Sequence, residues 1–315
     1  MHENPFRRTV KSPLTAAQLT PLDPRCQVVQ FEGTLTPKDS QKLADFLEDY
    51  PGMPLRAFSY VYAKGDLEFL QFFPRLQRFA IDSFKLQNLD GLRYLSDAVV
   101  ELHLGQIGAK KLSLRPLERF PYLRTLAIDS IAKDIEIIGT LKMLEDLTLR
   151  SVTLPGLDFL KPCQTLSRLA VKLGGTRNLA AIPEIGELKR LELWLIRGLD
   201  DVGFVARLPK LQLLILQALK QVQTLPSFGP MKALRRIHLE TMKGLTDLAP
   251  IAKAPALEEL VVHDAPQLEP EAFRPFVGHP TLRRTSIAIN SIHRNEAVAQ
   301  LLGLPKCDPH RFELQ

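Results

Sequence analysis

The sequence predicts an α/β solenoid, and three observations carry the prediction. A short frame with apolar residues at its first, fourth and sixth places, as in Leu188 to Trp194 (LKRLELW), is laid at eleven positions with offsets of 21 to 25 residues. Its intervening places are largely polar, as an extended segment with one buried and one open face requires. The returning stretches hold only about 15 residues, too few for a long helix and two turns, so short helical or 3₁₀ turns are expected there. Self-similarity at this period means that no unit buries its own apolar face and each leans on its neighbours.

Taken in order, residues 1–24 carry Pro5, Pro13, Pro21 and Pro24 among polar residues and read as an irregular or loosely docked arm. Cys26 to Phe31 (CQVVQF) fits the strand frame with Cys26, Val29 and Phe31 inward. A helix follows, with Thr36 as N-cap, Pro37 at its first position and Leu43, Phe46, Leu47 and Tyr50 on one face, stopped by Pro51 and Gly52. The frames then begin at Leu55, Leu76, Val99, Leu123, Leu144, Leu166, Leu188, Leu211, Leu234, Leu257 and Leu282. The returns keep phase too, as in Leu245, Leu248, Ile251 and Ala254, with Asp200, Asp201 and Asp247 as candidate caps. The longest, Ala265 to Pro280, has room for a fuller helix. Asn295 to Leu302 reads as a final amphipathic helix and 303–315 as a capping tail. The expected division is 1–52 for the arm and capping strand–helix, 53–290 for the repeats and 291–315 for the C-terminal cap.

The L-x-x-L-x-L frame, from Leu55 to Asn290, resembles the leucine-rich repeat family, in a short-repeat form. The resemblance implies a horseshoe with a parallel sheet on the concave side, short helical or 3₁₀ convex segments, and a role in protein recognition. One place departs from the family pattern. The ninth, commonly Asn or Cys, reads Phe84, Ile107, Ile131, Val152, Gly174, Ile196, Leu219, Met242 and Ala265 before Asn290, so apolar packing must replace an asparagine ladder.

Composition narrows the function classes. The N-terminal stretch MHENPFRRTV is polar and no run near 18 apolar residues exists, so neither a secretory signal nor a membrane span is expected. Three scattered cysteines, Cys26, Cys163 and Cys307, suit a reducing cytoplasm better than a disulfide framework. The net charge of +6 is spread among mixed signs along most of the chain. No G-x-S-x-G, phosphate loop, G-x-G-x-x-G, C-x-x-C or H-E-x-x-H is present, so no enzyme and no cofactor are expected.

Function is therefore sought on the open places of the frame. The seventh runs from Val61 through Arg150, Lys172, Trp194, Gln217, Glu240 and His263, and the fifth from Ser59 through Ala170, Glu192, Ile215 and His238. Trp194, the sole tryptophan, has Leu213 and Ile215 one strand along and Arg150, Arg168, Lys172 and Arg190 on its other side, offset by Glu145, Asp146 and Glu192. Tryptophan beside basic residues is the composition of interface hot spots. These residues, with His238, form the candidate partner-binding set, facing a protein with an acidic or mixed patch. The competing reading is a cation–π pair between Trp194 and Lys172 or Arg190 that binds nothing. His238, Glu240 and His263 are near enough on the ladder to suggest zinc, but they lack the fixed local spacing of such sites, and no metal is expected. Alternating charges at the second and third places, such as Arg235, Glu258 and Arg283, read as register-favouring pairs that need no ligand. The expectation is a non-catalytic, monomeric, cytoplasmic scaffold, regulatory, inhibitory or immunity-type in role. The alternative is nucleic-acid or other polyanion binding through the basic centre, disfavoured because the open rows offer too few aromatic platforms.

Overall fold

A computed structural model describes residues 4–58, 65–83, 85–105 and 111–315. Ser59, Val61, Phe84 and Ile107, named above, lie outside them. The described chain has thirteen strands in chain order, divided between two compact units, Met1–Leu149 and Arg150–Gln315.

The first unit holds β1 (Arg7–Val10), β2 (Val28–Glu32), β3 (Leu55–Phe58), β4 (Arg78–Asp82), β5 (Glu101–Gly105), β6 (Thr125–Asp129) and all but the last residue of β7 (Asp146–Arg150). Its helix α1 (Pro37–Glu48) starts as expected: the Thr36 hydroxyl accepts from the Asp39 amide and Pro37 opens the first turn. Two expectations fail here. The arm is not loose, because β1 pairs in parallel with β2 and Asp39 ties residues 12–14 to the helix start. The frame at Leu55 is three residues out of phase, since Leu55 pairs with Phe79 and Ala57 with Ile81, both inward places. The true first place is Gly52, exposed in the turn that ends α1, so no leucine marks it.

The second unit holds β8 (Arg168–Lys172), β9 (Arg190–Trp194), β10 (Leu213–Gln217), β11 (Arg236–Glu240), β12 (Glu259–His263) and β13 (Arg284–Ala288), each parallel to the next. Its core is the frame itself. Leu211, Leu234 and Leu257 from the first place and Leu191, Leu214, Ile237 and Leu260 from the fourth are wholly buried. Each such side chain contributes about 1.5–3 kcal/mol by leaving water. All but one of the returns carry a short 3₁₀ segment, the one between β10 and β11 having only turns; the longest holds Pro270–Phe276 and is therefore not the fuller α-helix its length allowed. Asp201 and Asp247, anticipated as caps, instead accept from the amides two residues on, Gly203 and Ala249, while Val202 and Pro250 stand at the cap positions without side-chain bonds. The last helix, α2 (Ile292–Leu302), starts three residues earlier than expected because Ser291 caps it, accepting from the Arg294 amide.

The missing asparagine ladder has a backbone replacement. At the eighth place Ser151, Leu173, Leu195, Ala218, Thr241 and Asp264 all have φ between 47° and 57°. Each turns its amide onto the seventh-place carbonyl of the next strand, at 2.8–3.0 Å. The sheet ladder thus gains a rung beyond each strand, and the ninth-place side chains Val152, Ile196, Leu219, Met242 and Ala265 are freed to enter the core.

Candidate partner-binding face

Every residue of the candidate set belongs to the second unit, and the strand register sets their neighbours. Lys172 pairs with Trp194 and Trp194 with Gln217, while Ala170, Glu192, Ile215 and His238 follow one another in the fifth-place row. In the third-place row Arg168, Arg190, Leu213 and Arg236 are adjacent. Parallel strands lie about 4.8 Å apart, so these side chains share one continuous face.

Electrostatics organise its centre around Glu192. That carboxylate, only 10% exposed, takes Lys172 Nζ at 2.7 Å and Arg190 Nη2 at 3.1 Å. The Lys172 ammonium also lies 6.0 Å from the Trp194 ring centroid, at the outer reach of a cation–π contact. Trp194 and Ile215 are half-buried, each with one side open, whereas Leu213 is 5% exposed and offers a partner little surface. Arg190 and Arg236 flank Leu213 in register. Arg150 is exposed and Arg168 half-buried at the far side of the group.

His238 closes the other side. Burial, and then the neighbouring His263, hold its pKa down to about 4, with Arg236 and His310 adding in the same direction. Its Nε2 is 3.4 Å from Glu240 without hydrogen-bond geometry, so the imidazole stays neutral. The His238 and His263 rings meet edge to face at 5.7 Å, and His263 Nε2 is engaged with Ser286 Oγ at 2.9 Å. The two imidazoles pack on one another rather than converging on a shared point. Among the described residues no group of three His, Cys, Asp or Glu side chains is placed to hold a metal ion.

The second- and third-place charges pair from strand to strand, Arg235 with Glu258 and Arg236 with Glu259, and two of them also hold a distant segment of the chain. Arg236, 2% exposed at its side chain, is paired with Glu259, which also takes Arg284 at 2.5 Å. Arg236 further donates to the carbonyls of Asp308 and Pro309, and Arg235 to that of Glu313. The tail after α2 thus lies across the starts of these strands. Nothing periodic announces this, because the tail lacks the repeat frame and its partners lie 72 or more residues away in sequence.

The sequence matches no protein-family model and no curated protein. Among solved structures, an internalin (inlF) from Listeria monocytogenes is similar over 88% of this chain and 85% of its own, with TM-score 0.55 and 15% identity. A leucine-rich repeat protein of Leptospira interrogans aligns over 90% of each chain at 16% identity with TM-score 0.46. With the parallel strands and 3₁₀ returns, the internalin likeness establishes the leucine-rich repeat fold.

Proposed function

We propose that this leucine-rich repeat chain is a non-catalytic scaffold that binds a protein partner on the open face of β8–β11, with Trp194 and Ile215 as apolar anchors. The observation that carries the reading is Trp194 standing half-open in register between Lys172 and Gln217, beside a basic group that one buried carboxylate only partly neutralises. Lys172, Arg190 and Glu192 sum to one positive charge, so the complementary patch is acidic or mixed. Among the described residues no helix is long and apolar enough to cross a membrane. The three free thiols fit a reducing compartment such as the cytoplasm.

Affinity capture from the native host, followed by mass spectrometry, tests the reading with Trp194→Ala and Lys172→Glu as variants. Truncating an anchor of this kind is expected to weaken the partner by at least about 2 kcal/mol, roughly thirtyfold. An unchanged partner set with both variants discards the face. Capture that collapses steeply between low and physiological salt, and releases nucleic acid, selects the polyanion reading instead.

A further inference from the structure

After α2 the chain first extends the sheet and then doubles back. Pro305 and Cys307 bond on either side of Thr285 in β13, at 3.0 Å each. From Asp308 the tail runs across the strand starts from β11 toward β9. Arg236 Nη2 donates to the Asp308 carbonyl at 2.7 Å and Arg235 Nη1 to that of Glu313 at 3.4 Å. Gln212 Nε2 and Lys189 Nζ reach the Gln315 carbonyl at 2.8 and 2.9 Å, and the Gln315 amide donates back to Gln212 at 2.7 Å. One ring is seated as well: Phe312 lies 5.4 Å from the Arg235 guanidinium and 5.1 Å from that of Arg236.

These donors address main-chain carbonyl oxygens, which any extended peptide carries, and the aromatic seat is the one side-chain pocket among them. Along the tail Phe312 and Leu314 are half-buried while His310, Arg311, Glu313 and Gln315 are exposed, the alternation of a ribbon laid on a surface. An open cleft of about 420 Å³ lies along it, lined by Arg235, Glu259, Arg284 and Phe312 among others. Ordering the eight residues from Asp308 to Gln315 offsets most of what so few bonds contribute, so the tail is held in place by a narrow margin.

We propose that the starts of β9–β11 form a peptide-binding groove that the chain's own Asp308–Gln315 segment fills, and that a partner protein docks there by displacing it with an extended segment bearing an aromatic residue. This rests on the reading of the chain as a protein-binding scaffold and extends it from the centre of the face to its rim. Lys189, Arg235 and Arg236 supply the donors, and because Glu258 and Glu259 already pair with the two arginines, a partner segment replaces main-chain bonds and the aromatic contact rather than side-chain charge.

The test uses fluorescence anisotropy with a labelled peptide copying residues 305–315. It is titrated against the full chain, a chain ended after Cys307, which keeps the bonds to Thr285, and the full-length Phe312→Ala variant. The shortened chain is expected to bind at least tenfold more tightly than the full chain, with Phe312→Ala between them. Circular dichroism identifies the folded variants, and Phe312→Ala carries the comparison where shortening unfolds the chain. Peptide binding equal to that of the full chain in every folded variant overturns the proposal. The readout is independent of Trp194, so its failure and that of the central face are told apart by the captures with Trp194→Ala.

Discussion

The eighth place shows how single residues serve a backbone demand their side chains do not advertise. Left-handed backbone costs an L-residue about 1–2 kcal/mol, and glycine or asparagine is the usual occupant. Here Leu173, Leu195, Ala218 and Thr241 accept it because their amides each gain a bond to the neighbouring strand. Ala218 isolates the effect, having only a methyl group to lose and a φ of 54°. Replacing it by glycine is expected to raise stability by about 1 kcal/mol, the reverse of the loss this change causes in a helix. A urea denaturation midpoint that falls in Ala218→Gly would contradict the strain argument. The bond itself belongs to the backbone and survives the substitution.

At the scale of elements, the N-terminal arm depends on one carboxylate. Asp39 is 4% exposed, yet it accepts from Ser12 Oγ at 2.7 Å, the Leu14 amide at 3.1 Å and Thr36 Oγ1 at 2.9 Å. These bonds, the Ser12 hydroxyl foremost, hold its pKa below the usual carboxylate range. Asp39→Ala removes the acceptor from all three donors and is expected to cost about 1–3 kcal/mol for each donor left buried without a partner. Limited proteolysis reads the result directly. Cleavage within residues 11–24 accelerates if the latch holds the arm, and an unchanged pattern shows that β1 pairing alone suffices. A carboxylate pKa lowered by folding stabilises above its unfolded value and loses that contribution as pH falls through the folded one, so the latch weakens only in acid.

For the whole molecule, the pH dependence of stability is set in a higher window by His238. Its folded pKa of about 4 lies below the ordinary 6.5, so between those values the unfolded chain takes up a proton that the folded chain refuses. Stability is therefore full above about 6.5 and is lost as pH falls toward 4, by on the order of 2–3 kcal/mol for a side chain 12% exposed. His263, lowered in the same direction by burial, adds to the slope. In His238→Gln the denaturation midpoint is expected to vary less across this window. A slope identical to that of the native chain would mean that the folded state accommodates the charged imidazole.

The sequence by itself determined the repeat and its register over ten of the eleven frames, because a period-2 strand pattern repeated many times leaves few ways to bury its leucines. It failed at Leu55, where a turn glycine replaced the marking leucine and a neighbouring apolar residue gave a false phase. It also gave no sign of the positive-φ ladder, since that conformation is imposed by bonds to the adjacent strand rather than by residue type. Only the tertiary structure decided that Leu213 is covered, that Glu192 is gripped by two cations, and that Arg235 and Arg236 hold a segment from the far end of the chain. Those outcomes depend on side-chain reach and on contacts between residues that no local pattern relates.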